Sequence, residues 1–412
     1  ANGSPGNFWR RYYEISENII ENPNNPFNKK TDQLFIGQSS LKFHTKNWIV
    51  GVSNENLWWG PGVNYSLVLT NNAPGFLHYT IQTNQPIKTF LGTLEAQFIG
   101  GSLQNANLPP SENGNPYAAN WYIPKDSNNR YVTGMVLTLH PKWTKNLFIG
   151  LSNMAYIYQK DMNGLEDATA IGNFSKHTIL KKRPALGAVF LRYALPKEYA
   201  EVYFEYGRND RGATPINILY DSVATGYVAG VRKLFPLSSN SKYGAISLNI
   251  EVVQLKLPQA NLIWNPNLLA KQSSWYTNNQ VRQGYTNQGQ ILGSYIGPGG
   301  SGQTIHLAWL KGYSKIGASI ERYSHNKDFY YFNYFNGLTY PGPNFKYWSD
   351  FTYTFYIRLK VANFILSSEI KKTESYNYLW TKLGTGGLYG PSTTDKFNTQ
   401  FNLSLRYLYN RN

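Results

Sequence analysis

Phe397-Asn398-Thr399-Gln400-Phe401-Asn402-Leu403-Ser404-Leu405-Arg406-Tyr407-Leu408-Tyr409 is the stretch that decides the fold. Odd positions carry Phe, Thr, Phe, Leu, Leu, Tyr and Tyr. Even positions carry Asn, Gln, Asn, Ser, Arg and Leu. This period-2 alternation runs for about a dozen residues, twice the length of an ordinary globular strand. One face is apolar and ends in tyrosines, whereas the other is polar and holds an arginine. A soluble sandwich or propeller strand with one solvated face is the competing reading. Length and terminal aromatics favour a segment that crosses a membrane in a closed barrel.

The same two-faced pattern recurs upstream. Val202, Phe204 and Tyr206 oppose Glu201, Tyr203 and Glu205, and Phe355, Ile357, Leu359 and Val361 oppose Thr354, Tyr356, Arg358 and Lys360. Leu248, Ile250 and Val252 oppose Asn249 and Glu251, after which the phase passes to Val253 and Leu255, which predicts a β-bulge. A charge on the lipid face costs about 2–4 kcal/mol near the midplane. Arg192, Arg358, Lys360 and Arg406 are therefore expected to face the lumen.

Long and short connections between strands take turns along the chain. That rhythm belongs to an outer-membrane barrel with long surface loops and short periplasmic turns. Fifteen strands are clear, and even parity asks for a sixteenth near Phe8–Ile15, or eighteen if another pair is hidden. Tyr12–Ile20 and Ile216–Val223 are short helix candidates. The fold class is thus all-β, a transmembrane antiparallel barrel of 16–18 strands forming one domain over residues 1–412. The last strand follows a long loop, so the C-terminus is expected in the periplasm. The loop-like start Ala1-Asn2-Gly3-Ser4-Pro5-Gly6 is expected to open a mature or truncated protein.

Composition limits the chemistry. The 412 residues contain no Cys, which excludes disulfides and thiolate metal sites. Mean hydropathy is −0.43, and no apolar run reaches the length of a membrane helix. The net charge of +16 points to nucleic acid, anionic lipid or an acidic polymer. Its lysines and arginines are scattered, with Lys181-Lys182-Arg183 the longest cluster, which disfavours nucleic acid. The six histidines are dispersed without ligand spacing, so no metal or cofactor is expected. Gly297-Pro298-Gly299-Gly300-Ser301-Gly302 lacks the Gly-Lys-Ser/Thr of a phosphate cradle and reads as a loop tip. Glu201 and Glu205 lie four residues apart on one strand face, about 13 Å, beyond the roughly 5–9.5 Å of a glycosidase pair. Nothing argues for an enzyme.

Aromatic clusters are the positive signal. Phe329-Tyr330-Tyr331-Phe332 fits an interfacial girdle or a loop core. Trp58-Trp59 beside Gly60-Pro61-Gly62 looks like a built turn, suited to stacking on sugar rings. The candidate polysaccharide-binding set is Trp58, Trp59, Arg192, Glu201, Tyr203, Arg358, Lys360 and Arg406, with Lys371 adding charge.

The turn is also where a family likeness appears. Asn54-Glu55-Asn56-Leu57-Trp58-Trp59-Gly60-Pro61-Gly62, followed by Ser66-Leu67-Val68-Leu69-Thr70-Asn71-Asn72-Ala73-Pro74, resembles the capsule assembly Wzi family. Gly284-Tyr285, Gly289 and Leu292-Gly293 are similar to a second family segment. Phe76 through Gly100 looks like the version found in Bacteroidota. The resemblance implies an outer-membrane lectin that binds and anchors capsular or surface polysaccharide. It further implies an 18-stranded barrel with helices closing the periplasmic side, and no such helical part is evident in this sequence. Expected partners are an acidic surface polysaccharide entering from the outer face, outer-membrane lipid and other outer-membrane proteins. A scaffold subunit and a passive pore are the alternatives.

Overall fold

Alternation of apolar and polar side chains builds the wall strand by strand. The computed structural model describes residues 10–21, 37–107, 118–170, 183–209, 223–238, 243–258, 274–334, 347–380 and 395–408. The first strands are β1 (Ser40–His44), β2 (Trp48–Ser53), β3 (His78–Thr83), β4 (Gly92–Leu103) and β5 (Arg130–Pro141). Next come β6 (Leu147–Tyr158), β7 (Ala185–Leu195), β8 (Ala200–Asn209), β9 (Thr225–Pro236) and β10 (Ala245–Lys256). The last are β11 (Ser301–Lys311), β12 (Ser314–Ser324), β13 (Ser349–Val361), β14 (Phe364–Tyr376) and β15 (Lys396–Tyr407). Each pairs antiparallel with its sequence neighbours, and the two-residue Ile87–Lys88 brings the sheet to 16 strands. The ladder ends at β1 and β15, and no pairing between those two lies among the described residues.

The register fixes which face each residue takes. Leu41, Val52, Leu191, Phe204, Val252, Leu307, Ile320, Phe355 and Leu405 point outward and stay exposed, forming a continuous apolar band for lipid. Across that wall, one loop between β2 and β3 contacts inward side chains of distant strands. Trp59 Nε1 donates to Gln97 Oε1 on β4 at 2.8 Å, Tyr65 N to Glu251 on β10 at 2.6 Å, and Tyr65 OH to Glu321 on β12 at 2.7 Å. A sheet whose opposite strands touch a single central segment is curled into a barrel.

Two expectations need correction. The segment proposed as a sixteenth strand near Phe8–Ile15 is helical where described, around Tyr13–Glu17, with Tyr12 and Tyr13 buried. That agrees with the helix candidate Tyr12–Ile20. The bulge at Val253 is absent, because β10 pairs without a break with both β9 and β11. Val253 and Leu255 face inward and are buried by the loops that fill that half of the barrel. Both faces of β10 are apolar there because lipid lies on one side and packed protein on the other. The helix candidate Ile216–Val223 lies almost wholly outside the described residues, and so does Tyr409.

Candidate functional site

The two motifs far apart in sequence meet inside the barrel. Thr70 N donates to the Leu292 carbonyl at 2.8 Å, Asn72 Nδ2 to the Ile291 carbonyl at 2.8 Å, and Asn287 Nδ2 to the Pro74 carbonyl at 3.0 Å. Tyr65, Leu67, Val68, Leu69, Trp275, Tyr276, Tyr285, Leu292 and Ile296 form one buried core with inward wall residues. Together the two segments make a plug in the half of the lumen nearest the long loops.

The motif residues hold this plug in place. Asn54 Nδ2 donates to the Gly37 carbonyl at 2.9 Å, and Glu55 pairs with Lys42 at 2.5 Å, tying the motif's start to β1 and the segment before it. Gly60 has φ +134°, and a Cβ on Gly62 would collide with the carbonyl oxygen of Tyr65. Pro61 stiffens the turn between them. Asn56 Nδ2 reaches the Asn71 carbonyl at 3.4 Å. Gly284 and Gly289 take positive φ, Gly293 packs against Tyr276, and Tyr285 stacks on Tyr276 at 5.9 Å.

Beneath the plug lies a cavity of about 710 Å³. Trp58, Trp59, Gly60 and Pro61 border it on the plug side. Its wall residues, including Gln82, Glu95, Gln97, Thr138, Phe148, Arg192, Glu201 and Arg232, sit toward the short-turn ends of their strands. The chamber thus occupies the short-turn half of the lumen, which in outer-membrane barrels faces the periplasm. The sequence reading brings a polymer in from the outer face, whereas this aromatic chamber lies on the other side of the plug.

Glu201 organises the wall. Arg192 donates to Glu201 Oε2 from Nε at 3.0 Å and from Nη2 at 2.6 Å, while Arg232 Nη2 meets Oε1 at 2.6 Å. The carboxylate is nearly buried, but both arginines keep about two fifths of their side-chain surface exposed. They therefore retain donors for a ligand. Arg192 also lies 5.5 Å over the Phe148 ring. Gln97 Nε2 donates to Gln82 Oε1 at 2.8 Å, which orients both amides.

The predicted residues divide among several places. Trp58, Trp59, Arg192 and Glu201 line the chamber, with Trp58 half-buried and Trp59 only 3 % exposed. Trp59 packs against the wall beside Met154 and Gly134. Tyr203 does not line the chamber: it is buried, its ring covers Gly230, and its hydroxyl donates to Glu251. It braces the plug instead of offering a stacking face. Arg358 lines a separate cavity, and Lys360 and Arg406 line neither. The aromatic run at Phe329–Phe332 falls in a helix, α1 (Lys327–Tyr334), with Phe329, Tyr330 and Phe332 buried, so it is loop core. Arg232, Gln97 and Phe148 were missed, since their inward placement next to Glu201 and Trp59 depends on register.

The model of the capsule assembly protein Wzi family matches residues 4–360. This chain belongs to the Wzi capsule assembly family. Among solved structures it is similar to Wzi of Escherichia coli, described as an outer-membrane protein involved in group 1 capsule assembly and a carbohydrate-binding β-barrel. The TM-score is 0.58 at 12 % identity, covering 82 % of this chain and 66 % of that one. The chain thus spans slightly less than two thirds of that Wzi structure. A second likeness, to OccK10 (OpdN) of Pseudomonas aeruginosa, has a TM-score of 0.37 at 11 % identity, covers 91 % of this chain and 89 % of that one, and carries no argument. No curated protein matches the sequence. The fold is that of an outer-membrane β-barrel, and the two motifs that mark the chain as a Wzi relative are the ones that build its plug.

Proposed function

We propose that this protein binds surface polysaccharide in its luminal chamber and serves capsule assembly as a carbohydrate-binding barrel of the outer membrane. The observation that carries the reading is Trp58 at the border of a chamber whose wall presents two half-exposed arginines on one buried carboxylate. A pyranose ring offers an apolar C–H face to the indole, while its hydroxyls accept from guanidinium groups and exchange hydrogen bonds with the amides of Gln82 and Gln97. Membership of the Wzi family and the fold shared with a carbohydrate-binding barrel support the same conclusion.

Binding suits the wall better than catalysis. Both oxygens of Glu201 are held by guanidiniums, which leaves neither free to protonate a leaving group. The plug disfavours the passive-pore alternative. Retention of the cell's purified surface polysaccharide on immobilised, detergent-solubilised protein tests the reading. Trp58→Ala and Arg232→Gln are each expected to weaken retention about tenfold. Retention unchanged in both variants would refute it.

A further inference from the structure

The two sides of the lumen differ in charge. Around the aromatic chamber Arg192 and Arg232 are matched by Glu201 and Glu95. On the opposite strands the inward positions toward the short turns carry Lys315, Arg358, Lys360 and Arg406 against Glu369, with Lys371 inward just past mid-strand. A second cavity of about 410 Å³ opens there, bordered by His306, Lys315, Tyr356, Arg358, Glu369 and Asn402.

Register sharpens the picture. Lys315 pairs directly with Arg358, Arg358 with Ser367, and Ser367 with Ser404. Two cations and two hydroxyls thus stand in one row across four adjacent strands. Like charges directly opposite each other in a sheet repel. Neither cation has an ion-pair partner among the described residues. The Lys315 ammonium lies 4.6 Å over the Tyr356 ring, and Glu369 accepts from Asn402 Nδ2 at 3.2 Å. Lys315 and Arg358 outnumber Glu369, the one carboxylate among the described residues on this border, so the cavity keeps a net positive charge beside neutral donors, which is the chemistry of an anion site.

We propose that this second cavity is an anion subsite, in which Arg358 and Lys315 bind a carboxylate or phosphate group and Ser367, Ser404 and Asn402 complete its hydrogen bonds. The proposal stands on this wall alone and does not depend on the glycan reading of the aromatic chamber. A uronic acid or a phosphorylated sugar of a surface polymer would supply the group, and so would a phosphate headgroup.

Calorimetric titration of the full chain in neutral detergent, at constant ionic strength, tests it with inorganic phosphate, galacturonate and neutral galactose. Binding of phosphate, galacturonate or both is expected, and any heat from galactose is expected to be the same in the native chain and in the double variant Lys315→Gln/Arg358→Gln. The anion that binds more tightly identifies the group. Lys315→Gln combined with Arg358→Gln is expected to weaken that binding about tenfold or more, whereas Lys197→Gln, in the exposed turn between β7 and β8, leaves it in place. Glu369→Gln is expected to strengthen it, and this variant decides the matter should the double variant not fold. Silence of both anions with the native chain, equal affinity in the double variant, or no gain with Glu369→Gln would overturn the proposal.

Discussion

At the scale of single residues, the carboxylate of Glu251 does the most to fix the plug. It accepts from the backbone N–H of Val63 at 2.7 Å, of Asn64 at 3.1 Å and of Tyr65 at 2.6 Å, and from the hydroxyl of Tyr203. Three successive amides make a nest for one anion, and a wall residue supplies it. Glu251→Gln keeps the shape and removes the charge, so it should lower unfolding stability in detergent by about 2–4 kcal/mol. An unchanged midpoint would contradict this role. Gly62→Ala should cost about 1–3 kcal/mol by the same measurement, because its Cβ meets the Tyr65 carbonyl. Trp-Trp-Gly-Pro-Gly was legible as a built turn from its residue types. Its partner was not, since Val63 and Glu251 are 188 residues apart and only the closed register brings them together.

Among elements, the strands were readable and the plug was not. A strand with lipid outside and water inside shows its period in its own sequence, as Phe397–Tyr407 and Val202–Tyr206 do. Where protein fills the lumen, the period fades: Val253 and Leu255 imitate a phase shift because they bury against Tyr65 and Leu67. The surface segments packed against the plug carry their own signal in pH. Burial pushes the carboxyl of Glu17 up to about 7 and that of Asp328 up to about 6. A raised carboxyl binds its proton more tightly in the folded state than in the unfolded chain, so its contribution to stability is most favourable below about pH 4 and declines as pH rises through the folded values. Hydrogen exchange over residues 10–21 and 327–334, corrected for intrinsic rate, should therefore show protection falling between about pH 4 and 7. Glu17→Gln and Asp328→Asn should flatten that slope. Flat protection in the native chain would contradict the assignment.

At the scale of the whole molecule, the described residues form a barrel divided by its own loops. The plug fills the long-loop half, and the two cavities lie in the other, one aromatic and charge-balanced, the other cationic. Such a barrel should show no stable porin-like conductance in a planar bilayer, and a large ohmic channel would contradict it. Basic charge was visible in composition, but its concentration on β12–β15 came from pairing, as did the shared ion pair of Arg192 and Arg232 with Glu201. The expectation of one basic, aromatic lumen merged what the structure separates. The most direct measurement uses the absence of native cysteine. Thr138→Cys places a lone thiol on the chamber wall, to be challenged with a membrane-impermeant maleimide. No reaction is expected in intact cells, reaction is expected once the outer membrane is permeabilised, and it should slow when surface polysaccharide is bound. Labelling at full rate from outside, or labelling that polysaccharide does not slow, would contradict that expectation.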